Sequence, residues 1–264
     1  MKDFFTFYTD IKDLQMPFQA FGIYHVLFLI LSLICIFLLY KHYIDESIEK
    51  KNIFLKRLGY YLLVEEIFYT LWLLWKCHDQ LLVQIIPLEL CSITVYINVL
   101  GIFTRKDYFR YFSCVVGLFA GGIAMLYPAN IDGLYSAFSY RTINFYMLHA
   151  SFVLLSLIYV KECKFTLKAM LRNIIGVCCL FTFAYFVNKI YGTQYMFVGS
   201  PPTIGIVRII YDTTGPLFLL CVYGAMVLLH ILELPFLLKL QKRMKEELYL
   251  FKNERKTDEI LYNK

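Results

Sequence analysis

Cys91 and His149 are a cysteine and a histidine at matching depth in two apolar runs, and together their types can do covalent chemistry. Each sits inside a long apolar run, where an ionisable group is costly unless it faces a polar interior. A thiol is a poor nucleophile until it loses its proton, and an imidazole within hydrogen-bond reach can take that proton. The chemistry this pair implies is acyl transfer through a thioester. Helical spacing places Thr94 and Asn98 on the face of Cys91, at i+3 and i+7, and Thr142 and Ser156 on the face of His149. Both stripes are small and polar, as the walls of a cavity would be. Glu89 lies just above the cysteine and His25 at similar depth on the first apolar run, so both are supporting candidates. Against this stands the count of eight cysteines and five histidines, which makes a chance pairing easy. A buried cysteine is by default a small hydrophobe.

A second tier of polar groups is expected nearer the other surface. Glu65 and Glu66 on the second run, and His230 and Glu233 on the last, fall at matching depth. A Glu–His contact between those helices would neutralise groups expensive to bury. Glu66 and His230 are therefore carried as supporting or substrate-binding candidates. No cysteine pair has C-x-x-C or zinc-finger spacing, so no metal is expected, and no cofactor is called for.

The elements that must position these groups are membrane helices. Hydrophobic residues make up 59% of the chain and charged residues 17%, with a mean hydropathy of +0.60. Soluble domains carry nearer a quarter charged. Seven runs approach the ~20 apolar residues needed to cross a bilayer: Gly22–Tyr40, Leu58–Trp75, Val83–Phe103, Tyr111–Tyr127, Thr142–Val160, Ala169–Val187 and Gly215–Leu238. None alternates as a barrel strand would, so the expected class is all-α: a polytopic bundle of seven transmembrane helices. Within the third and fifth runs, Cys91 and His149 fall ~12 Å and ~10 Å below the same surface at 1.5 Å per residue. Gly117-x-x-x-Gly121 on the fourth run permits close helix approach.

Charge gives the orientation. Of the 26 Lys and Arg, 20 lie after runs one, three, five and seven, which places those ends in the cytoplasm and the amino terminus outside. The net charge of +6 follows from this bias, and no basic face with interleaved aromatics suggests nucleic acid. Residues 1–21 form an outer-surface segment without the compact apolar core of a signal peptide, 22–238 the membrane domain, and 239–264 a charged, helix-prone cytoplasmic tail. Connections 128–141 and 188–214 both face outward, and the second is long for a bundle, as lids and substrate loops often are.

The stretch Ile86-Pro87-Leu88-Glu89-Leu90-Cys91-Ser92-Ile93 resembles the Pro-Leu-x-Leu-Cys signature of bacterial YwaF-like integral membrane proteins. Phe21-Gly22 followed by His25, Phe145-Tyr146-Met147-Leu148-His149, and Tyr195-Met196-Phe197 before Gly199-Ser200-Pro201-Pro202 agree with it. Together they cover most of the chain. That family is similar to the eukaryotic transmembrane-protein-164 acyltransferases, which move fatty acyl chains between phospholipids. The resemblance implies Cys91 and His149 as the catalytic pair, phospholipids or lysolipids as partners, and a multi-pass protein of the bacterial cytoplasmic membrane. Many relatives carry histidine two residues before the cysteine, where this chain has Glu89, a carboxylate able to orient His149 or His25.

Two other functions fit the same architecture. A heptahelical ligand sensor shares its topology, although the last run lacks the lysine a retinal protein needs. A small transporter would show inverted repeats or Gly/Pro-broken spans, which are not visible here.

Overall fold

The computed structural model describes residues 4–11, 14–77, 85–199 and 205–262, with side chains described at 4–11, 14–77, 85–199 and 207–246. The helices are α1 (Ile23–Asp45), α2 (Ile48–Lys76), α3 (Leu90–Thr104), α4 (Asp107–Leu126), α5 (Tyr140–Glu162), α6 (Leu167–Tyr191), the short α7 (Gly205–Thr214) and α8 (Phe218–Tyr262). Among the described residues there is no strand, only an isolated bridge between Pro17 and Ser136.

Five segments are long and apolar enough to cross a membrane: α1, α4, α5, α6, and Val207–Glu246, which spans α7 and most of α8. Two of the seven expected runs fall short, for different reasons. α2 has ample length at 29 residues, but Glu65 and Glu66 sit in its apolar half and depress its hydropathy. α3 has 15 residues, or ~22 Å, less than the ~30 Å hydrocarbon layer. Its expected start at Val83 lies outside the described residues, but Ile86 to Glu89 are not helical. Pro87 accounts for this: it has no N–H to donate and pushes the residue before it out of helical geometry. Cys91 is therefore the second residue of a helix, not a residue two turns inside one.

α5 is the hub. Of its most apolar eighteen residues, 72% are buried, against 17% in α1, whose Ile30, Leu33, Ile34 and Phe37 turn outward as lipid-facing side chains do. Side-chain caps from Ser139 and Thr166 start α5 and α6 by accepting the backbone N–H of Thr142 and Ala169, each at 3.2 Å. At the far end Arg110 bridges Glu162 at 3.0 Å, and Gln241 donates to the Val160 and Cys163 carbonyls that α5 leaves open.

α4 contains a π-helical stretch, Ser113–Ala120, packed on α5. A side chain at Gly117 would run into the Ser156 hydroxyl and come within 3.1 Å of the Phe152 carbonyl. That hydroxyl is already committed, 2.6 Å from the Ser113 carbonyl and 2.7 Å from that of Phe152. Gly117 is thus a packing residue, as its spacing suggested. Gly117→Ala is expected to cost about 1–3 kcal/mol by overpacking, read as a lower thermal transition of the purified protein. Gly122→Ala, whose Cβ meets nothing within 4 Å, is the tolerated control; equal behaviour of the two would contradict this account.

The amino-terminal segment is structured. Phe18 exchanges hydrogen bonds with Tyr135 and Gly133 at 2.9 and 2.8 Å, Trp72 donates to the Phe5 carbonyl at 2.8 Å, and the Ala20 N–H donates to Asp132. Phe7 and Phe18 are buried. The segment and connection 128–139 therefore lace together over one end of the bundle.

Candidate functional site

That laced end holds a cavity of about 200 Å³ lined by Cys91, Thr94 and Glu89 at the start of α3, by Gly121 and Ala124 of α4, by Arg141, Phe145 and His149 of α5, and by Met196 and Phe197 beyond α6. The two residues first picked out for their chemistry thus line one chamber from two helices. Arg141, Phe145 and His149 follow at four-residue intervals on a single face of α5.

Among the described residues three histidines are buried, and their hydrogen bonds separate them. Phe21 N–H donates to His25 Nδ1 at 2.7 Å, so Nε2 carries the proton and donates to the Met125 carbonyl at 2.9 Å. In His230, Asn173 Nδ2 donates to Nε2 at 2.8 Å, and Nδ1 donates to the Met226 carbonyl at 2.7 Å. Both rings are saturated. His149 makes one such bond, from Nδ1 to the Phe145 carbonyl at 2.7 Å. A carbonyl only accepts, so Nδ1 holds the proton and Nε2 keeps its lone pair. Among the described residues, His149 is the buried histidine equipped to act as a base.

Cys91 gains from its place in the first turn of α3. The leading N–H groups of a helix have no partner within it and carry partial positive charge. The Ser92 N–H is directed at the Cys91 sulfur; of the nearby charges Arg141 favours a thiolate, whereas Glu89 and Glu66 oppose one. All eight cysteines are free thiols.

The remaining candidates divide. Glu89 is half-buried in the cavity wall and accepts the backbone N–H of Met196, so its partner is the loop after α6 and neither histidine. Thr94 lines the cavity with its hydroxyl bonded back to the Leu90 carbonyl at 2.6 Å. Asn98 is fully buried beneath it, away from the cavity lining. Thr142 and Ser156 spend their hydroxyls on backbone carbonyls and do not line it.

The expected tier of Glu65, Glu66, His230 and Glu233 is corrected. Glu65 accepts from Asn144 at 2.9 Å, Glu66 pairs with the Ser92 hydroxyl beside Cys91, and His230 bonds Asn173 of α6. α2 begins ten residues before Leu58, and Glu66 lies ten residues from its end at Lys76. Both glutamates therefore belong to the half of the bundle that holds Cys91. Glu233 is buried on α8 without a hydrogen-bond partner among the described residues.

Arg141 and Asn188 were not singled out from the sequence. Arg141, half-buried, stacks over the Tyr69 ring at 4.9 Å and approaches Asn144 at 3.5 Å, and it lines the cavity. Its spacing of eight residues from His149, two helical turns, was the available signal. Asn188 is buried and holds the loop after α6: it donates to the Tyr195 carbonyl at 2.8 Å and to the Val198 carbonyl, and accepts from Tyr195 N–H at 2.9 Å and Thr193 Oγ1 at 2.5 Å. The loop so held keeps Met196 and Phe197 at positive φ, 52° and 57°, a strain that side chains other than glycine bear where surrounding structure enforces it.

A family model described as TMEM164 family matches residues 20–233. The chain belongs to the TMEM164 family. The match runs from just before His25 to Glu233 and so takes in every lining residue of the cavity. It agrees with an integral, multi-pass membrane protein and names no narrower, YwaF-like branch. No curated protein and no solved structure matches this TMEM164-family chain.

Proposed function

We propose that the chain is a membrane-embedded lipid acyltransferase working through a thioester on Cys91. One observation carries the reading: the thiol shares its cavity with the buried histidine that retains an unprotonated ring nitrogen. In the first half-reaction His149 Nε2 takes the Cys91 proton as the sulfur attacks the ester carbonyl of a donor phospholipid. The C–O bond breaks, His149 returns the proton to the departing lysolipid oxygen, and the acyl group stays on sulfur. In the second half-reaction an acceptor hydroxyl loses its proton to Nε2, attacks the thioester and releases the thiol. One ester is exchanged for another, so the cycle needs no cofactor or net oxidant. The first-turn N–H groups of α3 supply donors for the oxyanion.

Size limits what enters. Pockets that enclose whole drug-sized ligands run to ~300–1,000 Å³. At about 200 Å³ this cavity takes the ester and the adjoining glycerol, with the acyl chains leaving between helices. Arg141 at its wall suits the phosphate of a phospholipid donor or lysolipid acceptor. In this reading the chain has seven spans with this end and the amino terminus outside and residues 239–264 as the inner tail, as the Lys and Arg bias suggests, and the YwaF-like resemblance implies a bacterial cytoplasmic membrane.

The deciding measurement is the intact mass of the protein after incubation with a phospholipid of defined chains. An increment of one acyl group, mapped to Cys91 and removed by neutral hydroxylamine, is the expected result; no adduct, or one on another residue, sinks the reading. Arg141→Met is expected to raise KM by about 10- to 100-fold, the worth of one charge-assisted hydrogen bond, with kcat little changed. A fall in kcat alone would remove Arg141 from substrate binding.

A further inference from the structure

A second and larger cavity, about 790 Å³, lies at the opposite end of the bundle, where α4 and α6 begin. Its lining changes character along α6. Lys168, Arg172, Gly176 and Leu180 succeed one another at four-residue intervals on one helical face, from two cations through a bare backbone to an aliphatic side chain. The stripe is ~18 Å long at 1.5 Å per residue, about one leaflet of a bilayer whose hydrocarbon layer is ~30 Å. Lys164 joins the charged end; Ile97 and Phe112 face the apolar end.

Lys164, Lys168 and Arg172 make no ion pair among the described residues, and one acid, Asp107, shares the lining with them. The first turn of α6 opens on the same mouth and adds its positive helix end. A Cβ at Gly176 would meet nothing within 4 Å, so packing does not require this glycine. Its lack of a side chain keeps the middle of the stripe open.

We propose that this cavity holds one anionic phospholipid from the leaflet at that end, its head on Lys164, Lys168 and Arg172 and one chain along Gly176 and Leu180. The charge sequence and the leaflet depth fit an amphiphile with a negative head; a soluble anion would use the mouth and leave the apolar length unfilled. The site is separate from Cys91, and its occupancy does not depend on acyl transfer.

The test is native mass spectrometry of the full chain in mild detergent with phosphatidylglycerol or phosphatidylcholine of matched chains. Phosphatidylglycerol is expected to be retained about 100-fold better, from roughly a fivefold contribution by each of the three cations. Replacing Lys164, Lys168 and Arg172 together by Gln is expected to erase that preference. Gly176→Phe, whose Cβ enters open space, is expected to lower retention of both lipids. Cys91→Ala should bind as the wild type does, which keeps this result distinct from failure of the acyltransferase reading. Equal retention of the two lipids by wild type, unchanged retention by both cavity variants, or displacement by millimolar inorganic phosphate would each overturn the proposal.

Discussion

Cys91→Ala is expected to bring acyl transfer between phospholipids to the uncatalysed background, a fall of about 10⁴-fold or more, the scale seen when a covalent nucleophile is removed. His149→Gln is expected to lose less, about 10²- to 10⁴-fold, the usual contribution of a general base. Glutamine retains an N–H for the Phe145 carbonyl and cannot accept the thiol proton, so it isolates the base from the structural hydrogen bond. Single-turnover kinetics with a defined donor separate the two roles. Cys91→Ala should form no acyl-enzyme, whereas His149→Gln should form it slowly and to the same final extent. Cys91→Ser should accumulate an oxygen ester that resists neutral hydroxylamine. A Cys91→Ala protein retaining more than about a tenth of wild-type transfer would exclude the thioester, since no nucleophile in such a cycle is worth so little. His25→Gln and His230→Gln serve as contrasts: their rings are saturated by backbone and amide partners, so their loss should lower stability and spare the chemical step.

The apolar runs located most of the helices, because a bilayer demands one hydrophobic segment per crossing and punishes any other pattern. They failed where polarity and backbone chemistry competed. Pro87 delays the start of the third helix to Leu90, and hydropathy alone does not register the missing N–H. Overlooking it placed Cys91 about two turns into a helix and hid the first-turn N–H groups beside the sulfur. Cys91 and His149 were legible because reactive residues are conspicuous among aliphatic neighbours. Arg141 was not, since one arginine at the edge of a span looks like a topological anchor, and only its two-turn spacing from His149 hints otherwise. Glu66 and His230 were paired on depth, but depth counted from the ends of apolar runs inherits every error in those ends. Once α2 extends back to Ile48, the glutamates move to the cysteine's half of the bundle. No periodicity announces Asn188, since its work is done on backbone atoms of a loop.

Asn188 gives the second large effect. Its amide answers four groups in the turn after α6: the Tyr195 N–H and carbonyl, the Val198 carbonyl and the Thr193 hydroxyl. Asn188→Ala removes these four hydrogen bonds together, although the Tyr195 carbonyl keeps the Val198 N–H at 3.3 Å. Each buried group left unpaired costs about 1–3 kcal/mol, but a loop can move to find water, so the expected loss of stability is about 3 kcal/mol rather than the full sum. The same relaxation should let Met196 and Phe197 leave the positive-φ geometry that holds them in the cavity wall, and should deprive Glu89 of its backbone partner. Transfer is therefore expected to drop about 10- to 100-fold although residue 188 touches no reacting atom, the scale of a misplaced active-site wall. Asn188→Asp sharpens the argument. It keeps the acceptor for Tyr195 N–H and Thr193 and turns both donations into oxygen–oxygen contacts, so it should be at least as damaging as alanine. Thermal unfolding, single-turnover rate and limited proteolysis across residues 192–199 should change in concert. If Asn188→Ala melts and turns over as the wild type does, the loop does not need this amide to close the chamber, and the strain at Met196 and Phe197 is supported from elsewhere.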